Sequence, residues 1–163
     1  MSNRIKLLLL MLLMAAPVMA SWGMHFFQVG IPEERTARGD LLPDLPPLQE
    51  WPLAWQADGH WWLVMAATPD CGKPCSEQAD KLWRIHRALG READRVYRLR
   101  AGGEDALPGE EAQAWQATPP WTMSGGDTWI VDPQGKVVLA YDADAPPEDV
   151  HRDLMRLLRV NQE

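Results

Sequence analysis

The chain has 163 residues and carries 16 Lys and Arg against 23 Asp and Glu, a formal charge of −7. Once an N-terminal stretch of distinct composition is set aside, the remainder suffices for one compact domain and not for two. The lack of a basic stripe excludes nucleic acid as a partner. Nine tryptophans against two phenylalanines and two tyrosines leave open whether these amphipathic rings serve a core or a membrane interface.

Arg4 and Lys6 precede an apolar run over residues 7–27, interrupted only by Ser21, Gly23 and His25. At about 1.5 Å per residue such a helix just spans the ~30 Å hydrocarbon core. The leading charges predict a cytoplasmic N-terminus, with Trp22, His25, Phe26 and Phe27 at the outer interface. The competing reading is a signal peptide cut after Val18-Met19-Ala20, which would leave a greasy new terminus for a soluble domain to bury. Both readings export the rest of the chain to a compartment where disulfides persist. Residues 1–30 are therefore read as an inner-membrane anchor or uncleaved signal. Residues 31–50, with Pro32, Pro43, Pro46 and Pro47 among charges and no period, read as an extended linker or wrapping segment.

The ordered domain, residues 51–163, is expected to open at 53–56 and turn at Asp58-Gly59. It then enters a strand over 60–67 that is apolar throughout, as suits burial on both faces. After Thr68-Pro69-Asp70 comes Cys71-Gly72-Lys73-Pro74-Cys75. From there Cys75, Ala79, Leu82, Ile85 and Leu89 recur every three to four residues, predicting an amphipathic helix over 74–89 closed by Gly90. A second strand is expected at 95–99, then a loop rich in glycine and acid, with a short helix around 110–116. Residues 128–131 and 136–141 flank Asp132-Pro133-Gln134-Gly135 as an antiparallel hairpin. Pro146 and Pro147 open a last helix whose stripe is Val150, Leu154, Leu157 and Leu158. Strand, helix, strand, linking segment, hairpin, helix is the thioredoxin order: an α/β fold with a central mixed sheet, a C-terminal β-hairpin and flanking helices, behind an N-terminal transmembrane helix.

Two cysteines four apart at a helix start differ by about 40° around the axis, and the first turn's free N–H groups stabilise a thiolate. Cys71, nearer the exposed terminus, is the nucleophile candidate, and Cys75, at the start of the buried stripe, its resolving partner. The plainer reading is a structural disulfide, although so short a loop gains little from cross-linking. No Ser/His/Asp arrangement, phosphate-binding loop or zinc spacing competes; Gly102-Gly103 and Gly125-Gly126 read as loop residues.

The CxxxC after a buried strand, the run Trp129-Ile130-Val131-Asp132-Pro133-Gln134-Gly135 with its Asp-Pro-x-Gly turn, and the closing helix together resemble the Sco/SenC family. Its members are membrane-tethered, thioredoxin-fold assembly factors of cytochrome oxidase that deliver copper or manage thiols for its copper centre. The likeness is closest to short bacterial Sco-like proteins and covers the anchor and roughly residues 51–160. It implies Cu(I) as a possible cargo at Cys71 and Cys75, and an oxidase subunit or another assembly factor as partner.

Two departures qualify this. Copper-binding members carry a histidine at the place that Ser124 fills here, and His60, His86 and His151 all fall elsewhere. Met123, whose thioether suits Cu(I), is a candidate substitute, with ordinary packing the better reading of it. The cis-proline that normally precedes the third strand is replaced by Asp127. Three readings remain: thiol–disulfide exchange at Cys71 and Cys75, Cu(I) handling by the same pair, and an interaction protein with a structural disulfide whose tryptophans contact a partner.

Overall fold

The computed structural model describes residues 3–27, 37–41, 43–103 and 106–161. They fall into two units, Met1–Thr36 and Ala37–Glu163. The first holds helix α1 (Asn3–Phe27), on which the predicted membrane span falls; Leu13 and Trp22 are 77% and 76% exposed. Among the described residues no helix is long and apolar enough to cross a membrane. The predicted span also draws on Leu8 and residues 20–21 and 23–27, whose side chains lie outside the described residues.

The second unit is a six-stranded mixed sheet flanked by two helices. Its strands are β1 (Asp40–Leu41), β2 (Trp61–Ala66), β3 (Val96–Ala101), β4 (Glu110–Gln113), β5 (Thr128–Val131) and β6 (Val137–Tyr141), in the order β1-β6-β5-β2-β3-β4. The pairs β2–β3 and β3–β4 are parallel, and the rest are antiparallel. As the apolar run predicts, all six residues of β2 are buried, because helices cover one face and other side chains the opposite one. Helices α2 (Gly72–Ala88) and α3 (Pro147–Val160) bury Ala79, Leu82, Val150, Leu154 and Leu158 against Leu63, Met65, Ile130 and Leu139.

The other face is covered by tryptophans on loops. Trp51 contacts Trp121 at 4.9 Å, Trp129 at 5.0 Å and Trp115 at 6.2 Å between ring centroids. Its indole N–H donates to the Pro46 carbonyl at 2.9 Å. The tryptophan-rich composition is therefore largely a core property: Trp51, Trp55, Trp61, Trp62 and Trp129 are all buried.

One expectation is corrected and two segments are placed. The compact unit spans Ala37–Glu163. Within the segment read as a linker or wrapping segment, β1 adds to the hairpin edge and Leu48 is fully buried, its N–H bonded to the Gly135 carbonyl; residues 31–36 and 42 lie outside the described residues. Residues 53–56, where the ordered domain is expected to open, carry the buried Leu53 and Trp55. The helix expected around 110–116 is instead the edge strand β4, paired parallel with β3 from Arg98↔Glu110 to Ala101↔Gln113. Pairing with β3 satisfies a ladder that a two-turn helix could not offer, and it buries Glu110 beside Arg100 (2.9 Å).

A buried carboxylate fastens the strap that carries β1. Asp153 of α3, 2% exposed, accepts hydrogen bonds from Arg38 N (2.6 Å), Gly39 N (3.2 Å) and the Tyr141 hydroxyl (2.9 Å). Burial and this carboxylate push the Tyr141 phenol far above its ordinary value. Asp153→Ala orphans three donors, two of them in buried bonds, so we expect a loss of about 2–3 kcal/mol in urea unfolding, with new proteolytic cleavage around residues 37–41.

Candidate functional site at the cysteine pair

The sheet delivers the cysteines by a direct route. β2 runs down the middle of the unit, Cys71 N closes a turn onto the Thr68 carbonyl at 3.0 Å, and α2 begins at Gly72. Gly72 has φ +46, a left-handed conformation that side-chain-bearing residues adopt only at a cost. Cys71 occupies the N-cap position without a side-chain cap, so the first-turn N–H groups of α2 have no side-chain acceptor from it. Cys71 and Cys75 are joined as a disulfide, with their Cα atoms 5.3 Å apart.

The expected contrast in exposure between the two sulfurs is corrected, since Cys71 is 8% and Cys75 6% exposed. What hides Cys71 is the loop ahead of β5. A Cβ built on Gly125 would stand 2.5 Å from Cys71 Sγ and 2.8 Å from Thr68 Oγ1, so only glycine fits there. Cys75 Sγ lies 3.7 Å from the Ala66 carbonyl, which would accept from its thiol once the bond is reduced.

The Gly125 loop is held from both sides. Gly126 N donates to the Ala66 carbonyl and Ala66 N to the Asp127 carbonyl, each at 2.8 Å. The Asp127 carboxylate accepts from Ser124 N at 2.7 Å and from the Ala143 backbone. Burial, with Asp142 adding to it, raises the Asp127 carboxyl above its ordinary value in spite of these bonds. Gln78, 5% exposed and one turn beyond Cys75, donates to Thr128 Oγ1 at 3.1 Å, and that hydroxyl donates to the Gly126 carbonyl at 3.1 Å. The helix bearing the cysteines and the loop covering them are thus one hydrogen-bonded assembly. Sequence reasoning placed Asp127 only as a missing proline and Gly125 only as loop; the one available signal was the Gly-Gly pair directly before a buried strand.

The other candidates lie elsewhere. Met123 packs with Trp51, Trp121 and Trp129 against one face of the sheet, whereas the cysteines belong to the cluster on the opposite face. The loop therefore brings Gly125, not Met123, against Cys71. His86 Nε2 sits 2.8 Å from the Val96 carbonyl and 3.1 Å from that of Ala93. His60 pairs with Asp58 at 3.2 Å and stacks on Tyr97. Among the described residues, no group of three or more His, Cys, Asp and Glu side chains could hold a metal ion.

A family model described as "transmembrane-like, thioredoxin-like, C-terminal domain" matches residues 61–161. The chain belongs to this thioredoxin-like family. The matched stretch runs from β2 through both cysteines and the hairpin to the end of α3. Among solved structures, apo Sco1 from Thermus thermophilus is similar with a TM-score of 0.57 and 17% identity, covering 77% of this chain and 99% of that one. Arabidopsis thaliana ScoI with copper bound gives 0.51 and 11%, covering 64% and 87%. At these identities the likeness establishes the fold, and the Sco/SenC resemblance read from the sequence is met at that level. No curated protein sequence matches the chain.

Proposed function

We propose that the protein is a membrane-tethered thiol–disulfide oxidoreductase of Sco-like type that assists cytochrome c oxidase assembly. Residues 1–30 hold it at the bacterial inner membrane with the N-terminus in the cytoplasm, and the thioredoxin-like unit stands in the periplasm. Its partner is an oxidase subunit or another assembly factor. The observation that carries this reading is the Cys71–Cys75 disulfide at the uncapped start of α2, directly after the central buried strand.

In the reduced form the N-terminus of α2 stabilises a Cys71 thiolate. That thiolate attacks a disulfide sulfur of the partner, forming a mixed disulfide and expelling the partner's other sulfur as thiolate. Cys75 then gives up its proton and attacks Cys71 Sγ. The intramolecular disulfide forms, the second partner thiolate leaves, and two electrons have passed from this chain to the partner. A separate exported dithiol, itself oxidised to a disulfide, must supply two further electrons to reset the pair.

Cys75→Ser removes the resolving step, so we expect covalent complexes on non-reducing gels of cells that express it, absent when Cys71 is also serine. Cells that yield no such species would overturn the reading.

The alternative is Cu(I) cargo on the reduced pair. It is supported by two soft sulfurs at one helix end and weakened by the want of a third ligand among the described residues. Anaerobic Cu(I) titration of the reduced chain against a mild competitor separates the two; loss of all copper to the competitor eliminates the cargo role. If serine at both cysteines leaves oxidase assembly unaffected, the disulfide is structural and the protein acts by contact alone.

A further inference from the structure

The covering loop is held unevenly: Met123 packs against the far face of the sheet on one side, and Gly126 is bonded to Ala66 on the other. From Gly126 onward it is tied into the sheet through Ala66, and its carbonyl is held by Thr128 and, behind it, Gln78. Between Met123 and Gly126, Ser124 is bonded to Asp127 alone among the described residues: its N–H donates to the carboxylate at 2.7 Å, and Asp127 N donates to its carbonyl at 3.1 Å. Gly126, at φ +97, is the pivot between the tied and untied parts. It is the untied Gly125 that closes over Cys71 Sγ.

We propose that Asp127 is a positioning residue that controls access to the disulfide: its carboxylate folds residues 124–125 down over Cys71 Sγ, and a nucleophile reaches that sulfur when this two-residue flap lifts about Gly126. Cys71 is 8% exposed with the flap down, so in-line approach of a thiolate or phosphine along the S–S axis depends on its opening. The biological use of this control rests on the thiol-exchange reading above, whereas the flap itself does not.

The test is the rate at which the oxidised full chain, in detergent, is reduced by tris(2-carboxyethyl)phosphine. The phosphine attacks Cys71 Sγ, an S–P bond forms, and Cys75 leaves as thiolate. Water then releases the Cys71 thiol and phosphine oxide, so the phosphine is oxidised by two electrons. Losing a hydrogen bond to a charged acceptor shifts a local opening equilibrium substantially, so Asp127→Ala should raise the second-order rate constant about tenfold. The small thiol 2-mercaptoethanol, needing less clearance, should gain only about threefold. Asp127→Asn, whose carboxamide oxygen can accept from the same two amides, should stay within about twofold of the parent.

The dithiol–disulfide midpoint should be the same in all three proteins, because the flap governs approach and not the bond. An unchanged phosphine rate in Asp127→Ala would overturn the proposal. So would equal acceleration by both reductants, which is the mark of global loosening, or a midpoint shift large enough to explain the rate. A chain that traps no partner in cells can still show the full kinetic pattern, so failure of the functional reading and failure of the flap are separable.

Discussion

Replacing Glu110 with alanine should destabilise the thioredoxin-like unit by about 3–5 kcal/mol, the usual cost of leaving a buried charge without its partner. Glu110 is 9% exposed as a residue and its side chain only 1%. It accepts from Arg100 Nη2 and from Leu107 N, both at 2.9 Å. Arg98, directly opposite it in the ladder, is 2% exposed and donates to the Pro108 carbonyl at 2.6 Å. Burial draws the Arg98 guanidinium below its ordinary value, with Glu110 opposing that drift. Without the carboxylate, Arg100 loses its ion-pair partner and Arg98 the acid directly opposite it in the ladder.

A melting point lowered by about 10–20 °C is the corresponding thermal result. The combination Glu110→Leu with Arg100→Met, which removes both charges, should regain much of the loss. A single alanine variant that melts like the parent would show that the pair contributes nothing.

Gly102→Ala is expected to cost about 3–5 kcal/mol, combining left-handed strain with overpacking. Its φ is +88, and a Cβ would run into the Ala67 carbonyl and stand 2.5 Å from Trp115 Nε1. The Ala67 amide meanwhile donates to the Ala101 carbonyl at 2.7 Å, and Gly102 N to that of Gln113 at 2.7 Å. The added methyl therefore presses on the last rungs of the β2–β3–β4 ladder, four residues before Cys71. Urea unfolding gives the energy, and near-ultraviolet circular dichroism shows whether Trp115 has moved. The neighbouring Gly103, where the nearest atom to a Cβ would be 3.7 Å away, is the control, since substitution there meets strain but no clash.

Those two sites mark where sequence reasoning stopped. β2, α2, the hairpin and α3 were legible because each has a strong period and clear punctuation: a run with no polar residue, a three-to-four stripe ended by Gly90, an Asp-Pro-x-Gly turn, a double proline with acids behind it. β4 offered neither. Glu110-Glu111-Ala112-Gln113 is made of good helix formers, and only pairing with β3 and the buried Arg100 contact make it a strand, a long-range cause that local propensity cannot register.

The segment before residue 51 was legible only as an extended linker or wrapping segment, for a related reason. Prolines and charges suit either, and what makes it wrap is that Leu48 and Trp51 fill the sheet face opposite α2 and α3. Likewise, the cysteines were found by spacing, while the burial of Cys71 comes from Gly125, a residue with no side chain to announce it. Met123, two residues away in the loop, packs with the tryptophan cluster on the other face of the sheet, a placement that its spacing from the cysteines does not announce.

The position of the Asp153 clasp also decides where tension goes. Any tug along the chain into Ala37 enters at β1 and α3, and the order β1-β6-β5-β2 puts three strand spacings, about 14 Å, between that point of loading and the strand that leads to Cys71. Within the sheet the whole hairpin thus stands between the clasp and β2, and the shorter route from the clasp to the sulfurs runs through α3 and its packing on α2.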